Sequence, residues 1–166
     1  MLKLLGAAAV FCALSWCGFY RAGWYGRRLD CLHSWHTAVL EGERMLCDLN
    51  ESTPAYLERL REVPWLGAMA ETCLRLLRNE ERLELAWREA VRQGDFPLSG
   101  EEMRVIFALG AVLGRYDTGE QRQVLQYARQ KLATQISAVQ EERARLSRMW
   151  SVLGISAGLL AVILLY

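Results

Sequence analysis

Hydrophobic and polar positions are spread unevenly along this chain. An uncharged apolar run from Leu4 to Tyr20 and a second from Trp150 to Tyr166 bracket a middle stretch in which apolar residues recur only at helical spacing. As a helix each run would be about 26 Å long, close to the ~30 Å of a hydrocarbon core, so both are predicted to span a bilayer. Between them the pattern is helical throughout, with no strand-like alternation. Leu29, Leu32, Trp35, Val39, Leu46 and Leu49 mark one long helix that leaves the first span and ends near Leu49. Thr53 as cap, with Pro54 at the first helical position, opens the next. Pro64 opens another that reaches Arg78, Asn79 breaks the chain before a helix to Gln93, and Gly94 closes that one.

Ser99 and Glu102 stand three apart as a capping box. The uncharged stretch Val105 to Gly114 that follows is too short to span, so it is expected to be the buried central helix, with Ile106, Phe107 and Leu109 to Leu113 in the core. Asp117 and Thr118 form a turn, and Thr118 with Gln121 makes a second capping box. From Glu120 the series Leu125, Ala128, Leu132, Ile136, Val139 and Leu146 runs on to Trp150 without a breaker. The last helix of the middle segment and the second span are therefore expected to be one rod of roughly 70 Å. The expected fold is all-α: a cytoplasmic bundle of five or six helices (21–148) flanked by an N-terminal transmembrane helix (1–20) and a C-terminal one (149–166).

Charge sets the side. Arg21, Arg27 and Arg28 follow the first run and Arg143, Arg145 and Arg148 precede the second, against Lys3 beyond it. Positive charge beside a span favours the cytoplasm, which puts the middle segment there and both termini across the membrane. A cleaved signal peptide is the rival reading of the first run. It lacks a small-residue cleavage site, and Trp16, Phe19, Tyr20, Trp24 and Tyr25 suit a retained interfacial helix. The formal net charge is only +1, which leaves nucleic acid no electrostatic footprint. Five cysteines at no regular spacing fit free thiols in a reducing compartment better than a disulfide framework.

Candidate chemistry is sparse. Asp30, Cys31, His33 and His36 have ligand atoms, but Cys31 faces away from His36 on a helix and no second ligand group lies nearby, so no metal or other cofactor is expected. No nucleophile stands beside a base, and Lys131 lies in no phosphate-binding loop. Glu80 and Glu81, Glu101 and Glu102, and Glu141 and Glu142 read as first-turn or solvated acids. No catalytic residue and no small-molecule substrate are expected. Ser151, Gly154 and Gly158 lie near one helical stripe, a candidate face for another membrane helix. Gly110 and Gly114 form a similar pair, and with Asp117 and Gln121 they make a candidate turn or partner surface.

Met1-Leu2-Lys3-Leu4-Leu5-Gly6-Ala7, Thr53-Pro54, Leu109-Gly110-Ala111-Val112-Leu113-Gly114-Arg115-Tyr116-Asp117 with Gln121, and Leu153-Gly154 with Gly158 occur in an order and spacing that resemble the stage III sporulation protein AB family from end to end. Ala55 departs from the leucine expected after Thr-Pro. The resemblance implies a component of the mother-cell membrane complex built around the forespore. It also implies a middle domain similar to a cytoplasmic domain of the inner-membrane platform protein of type II secretion and type IV pilus machines. By that analogy the chain would couple a secretion-type ATPase, stage III sporulation protein AA, to membrane components of a channel. The alternative is a membrane-bound regulator that senses through its thiols or the His33 and His36 pair.

Overall fold

The computed structural model describes the backbone of residues 23–79, 81–113 and 118–165, and the side chains of these except 118, 147, 148 and 150–165. Six helices and no strand are found among the described residues. The first, α1, occupies 23–42 and passes directly into a π-helical turn, Glu43–Asp48, so the long opening helix ends where its apolar spacing indicates. Leu29, Cys31, Leu32, Trp35, Ala38 and Val39 form its buried face. Asn50, at φ 52°, then reverses the chain, a conformation asparagine tolerates better than most residues.

α2 (Thr53–Leu60) is capped one residue earlier than expected. Ser52 is extended, and its hydroxyl accepts the Ala55 amide at 3.4 Å. Thr53 is left free to donate to the Leu113 carbonyl at 2.7 Å. Pro64 does not open the following helix. α3 (Gly67–Arg78) starts three residues later, because Val63 to Leu66 form a turn closed by the Leu66 amide on the Val63 carbonyl at 3.2 Å. Pro64 takes the second position of that turn and Trp65 the third, at φ 69°. A positive φ at the third position is the demand of a type II turn, where glycine is the usual occupant and a side chain costs about 1–2 kcal/mol.

α3 packs on α2 and on α4 (Leu83–Gln93), and α4 packs on α5 (Gly100–Gly110). Asn79 ends α3 and Gly94 ends α4, as expected. Gly94 is nonetheless extended, not left-handed, and its value lies in space: a Cβ there would sit 2.2 Å from the Phe96 ring. The capping box of α5 is complete, with the Glu102 amide on Ser99 Oγ at 3.3 Å and the Ser99 amide on Glu102 Oε2 at 2.6 Å. The helix is one-sided and not buried all round. Ile106 and Leu109 are sealed, Phe107 is half-buried and Ala108 is exposed.

α6 (Thr118–Leu165) runs unbroken, and Leu125, Ala128, Leu132, Ile136 and Val139 are buried along it at the anticipated spacing. The chain divides into two compact units, Arg28–Ile136 and a second that takes in the start of α1 and α6 from Ser137 onwards. In the larger unit Trp35 centres the core, its ring edge-on to Trp87 at 6.0 Å and to Phe96 at 5.5 Å. Within the smaller, the Tyr25 hydroxyl donates to Glu142 at 2.8 Å, and Trp24 lies edge-on to Tyr25. Among the described residues no helix is long and apolar enough to cross a membrane. The first expected span, and the side chains of the second, lie outside the described residues.

Candidate functional site

Hydrogen bonding draws together segments that are far apart in sequence. The carbonyl of Leu113, just beyond the end of α5, accepts both the Thr53 hydroxyl at 2.7 Å and the Gln121 side-chain amide at 3.4 Å. That amide also reaches the Val112 carbonyl at 3.5 Å. Helix ends leave carbonyls without internal partners, and here α2 and α6 satisfy them. Gln121 is nearly fully buried and serves the end of the preceding helix, while the Thr118 side chain that the expected second capping box needs lies outside the described residues. Gly110 lies under the Trp87 indole, where a Cβ would meet Cδ1 at 2.4 Å, and the same indole donates Nε1 to the Ile106 carbonyl at 2.9 Å. Gly110 is thus a packing residue of the α4–α5 contact. Gly114 and Asp117 lie outside the described residues, and so do the side chains of Ser151, Gly154 and Gly158.

Beside this joint, α6 grips the π-helical turn through one stripe of side chains. Arg122 donates to Asp48 at 2.8 Å and to the Cys47 carbonyl at 3.2 Å, Gln126 donates to Glu43 at 2.9 Å, and Arg129 stands 3.4 Å from Glu43. The spacing of 122, 126 and 129 is that of a single helix face, yet the partners lie more than 70 residues back, so periodicity gave no sign of them. A second long-range pair was hidden in the same way. Glu102, expected at the surface, has a fully buried side chain: Oε2 serves the α5 cap and Oε1 meets Arg28 of α1 at 2.7 Å.

The sensing residues are placed less favourably. Cys31, Cys47 and Cys73 are free thiols, all buried. Burial, with the Glu102 carboxylate adding to it, pushes the Cys31 thiol up to about 12, and burial alone raises Cys73 to about 11. Both are moved away from the thiolate that reactivity requires. His33 is exposed and His36 half-buried, its pKa lowered by burial and by Arg129 and His33. Among the described residues no three His, Cys, Asp or Glu side chains gather as a metal site would need.

The two segments that meet at Leu113 are Thr53-Pro54 and the Leu109 to Gln121 stretch, both parts of the pattern by which the sequence resembles a known family. Residues 3–166 match the family described as stage III sporulation protein AB. The chain belongs to the stage III sporulation protein AB family. Stage III sporulation protein AB of Bacillus subtilis (strain 168) is 26% identical over 174 residues, covering 99% of each chain. A solved structure of a stage III sporulation protein AB aligns with TM-score 0.63 at 12% identity, over 72% of this chain and 98% of its own. At that identity the likeness establishes the helical bundle, and the sequence match carries the link to sporulation. Neither name states a catalytic activity. The Leu113 joint is a structural feature of this member of the family, in which a backbone carbonyl accepts a hydroxyl and a side-chain amide.

Proposed function

We propose that this chain is a non-catalytic membrane adaptor, a platform component of a sporulation-specific, secretion-like channel complex in the mother-cell membrane around the forespore. Its helical bundle faces the cytoplasm and engages a secretion-type ATPase, stage III sporulation protein AA, while its apolar ends bind lipid and neighbouring membrane proteins. The observation that carries this reading is the Leu113 joint. The family-like segments at Thr53 and Gln121 converge on one carbonyl and are consumed in fixing α2, α5 and α6 to each other, which is the work of a rigid scaffold. Helix α6 carries both the buried residues Leu125 and Leu132 and, in sequence, the apolar stretch from Trp150. A single helix of that kind is a direct route by which an event at the bundle reaches membrane partners.

The test uses the full chain in membranes with its candidate partners. Gly154→Leu and Gly158→Leu are expected to weaken cross-linking to membrane components and to leave capture of the ATPase unchanged, because close helix approach in lipid depends on small residues. Normal assembly and normal sporulation by both variants would remove the membrane-contact half of the proposal. Failure of the unaltered chain to capture the ATPase would remove the other half.

A further inference from the structure

The turn between α2 and α3 places a large aromatic ring at a backbone position suited to glycine. Trp65 sits at φ 69° and keeps 38% of its surface in solvent. The loop around it is rigid. The Glu62, Val63 and Leu66 amides all bond back to carbonyls three residues earlier, and Gly67 is so close to the Arg61 carbonyl that a Cβ would stand 2.8 Å from the oxygen. A turn so firmly closed would form more readily with glycine at position 65. Backbone strain of this kind clusters at functional sites.

What surrounds Trp65 describes a partner. Val63 and Pro64 border an open groove of about 400 Å³ against α1, which Glu41, Arg59 and Glu62 also line. A neighbouring groove of about 390 Å³ is lined by Glu58, Arg61, Glu62 and Glu71. Glu62 borders both. Four carboxylates line the grooves against two arginines, with Arg44 also 3.9 Å from Glu41, and each arginine is already held: Arg44 by Glu41, Arg59 by Glu62 and Glu41, and Arg61 by Glu58 at 2.8 Å. The remaining excess is one negative charge, and Glu58, Glu62 and Glu71 are exposed within seven residues of the exposed Trp65.

We infer that the Pro64-Trp65 turn, with its flanking grooves, is a docking site for a partner protein's basic segment, one that presents arginine or lysine beside an apolar side chain. The cation stacks on the Trp65 ring and faces Glu62 and Glu71, and the apolar side chain enters the groove at Val63 and Pro64. Acidic surroundings disfavour an anionic membrane surface as the occupant. This inference does not depend on the adaptor reading.

The probe is the labelled peptide acetyl-Arg-Arg-Leu-Arg-Arg-amide, titrated by fluorescence anisotropy against the full-length chain in detergent micelles, with empty micelles subtracted. Trp65→Gly is expected to weaken binding roughly tenfold or more and to leave the melting midpoint unchanged or higher, since glycine relieves the turn. Glu62→Gln is expected to weaken binding and flatten its salt dependence. Trp65→Asn, which also tolerates positive φ, repeats the test if the glycine variant misfolds. Unchanged affinity in the Trp65 variants, no binding by the unaltered chain, or equal binding of a peptide with glutamate in place of arginine would overturn the proposal. It would equally be overturned by a drop in melting midpoint of more than about 5 °C in both variants, which would make Trp65 a packing residue. A Trp65-dependent dimer in sedimentation, or Trp65-dependent binding to phosphatidylglycerol vesicles, would assign the surface to a second copy or to lipid and overturn it too.

Discussion

Arg28 and Glu102 make the most consequential single contact in the bundle, because one partner is wholly enclosed. The Glu102 side chain has no exposure and that of Arg28 only 14%, so the carboxylate relies on the guanidinium and the Ser99 amide for what water would have supplied. Arg28→Ala leaves that charge buried without its counterion and is expected to cost about 3–5 kcal/mol. Glu102→Gln keeps an acceptor for the cap and is expected to cost less, about 1–2 kcal/mol. Urea unfolding of the two variants tests the order, and an Arg28→Ala chain within about 1 kcal/mol of the parent would show that the carboxylate reaches water. Alkali tests other buried groups. Cys31 and Cys73 are held above the usual thiol value of 9.0, to about 12 and about 11, and burial with Glu41 nearby holds the Tyr56 hydroxyl well above its usual range. The unfolded chain loses these protons first, so it binds fewer than the folded one once the pH passes 9, and stability falls as pH rises. The melting midpoint should therefore hold steady below pH 9, then decline between 9 and about 12, with a shallower decline in a Cys31→Ala, Cys73→Ala chain. A midpoint that ignores alkali would show that these groups titrate as freely folded as unfolded.

Elements were legible where their signals are local. The α5 capping box joins residues three apart, and the buried series of α6 repeats at helical spacing, so both stand as the sequence suggests. Boundaries set by a single residue type were less secure. A proline suits the first turn of a helix and the second position of a tight turn equally well, and at Pro64 the chain uses the second option. An uncharged run also does not say how many of its sides are covered. Phe107 is half-buried because the short α5 turns only the Ile106 and Leu109 face inward. Long-range contacts were out of reach in principle. Nothing within a few residues of Glu102 announces Arg28, and nothing near Glu43 announces the stripe of Arg122, Gln126 and Arg129. Trp35 shows what such packing outweighs: its buried indole N–H has no hydrogen-bond acceptor among the described residues, at a cost of about 1–3 kcal/mol, while its ring fills the centre of the core against Trp87 and Phe96.

For the molecule as a whole, family membership was legible because order, spacing and length act together where each short motif alone is weak. The Leu113 joint gives that spacing a physical reason, since Thr53 and Gln121 must both reach one carbonyl. Topology rests on charge. Of the six arginines flanking the apolar runs, Arg28 is engaged with Glu102 inside the bundle, while Arg27, Arg143 and Arg145 are exposed. Those three, with Arg21 and Arg148 beside them in sequence, still outnumber Lys3, so the middle segment should remain on the cytoplasmic side. Alkaline phosphatase fused after Tyr166 is accordingly expected to be active, and the same reporter fused after Gly94 inactive, when the fusions are made in the membrane-inserted chain. The opposite pattern would place the bundle, Trp65 and the Leu113 joint across the membrane from any cytoplasmic ATPase. Activity at neither position would indicate that the Trp150 to Tyr166 stretch lies along the membrane without crossing it. The phosphatase pair therefore decides whether a cytoplasmic partner is sterically available at all, and it does so without depending on which partner that is.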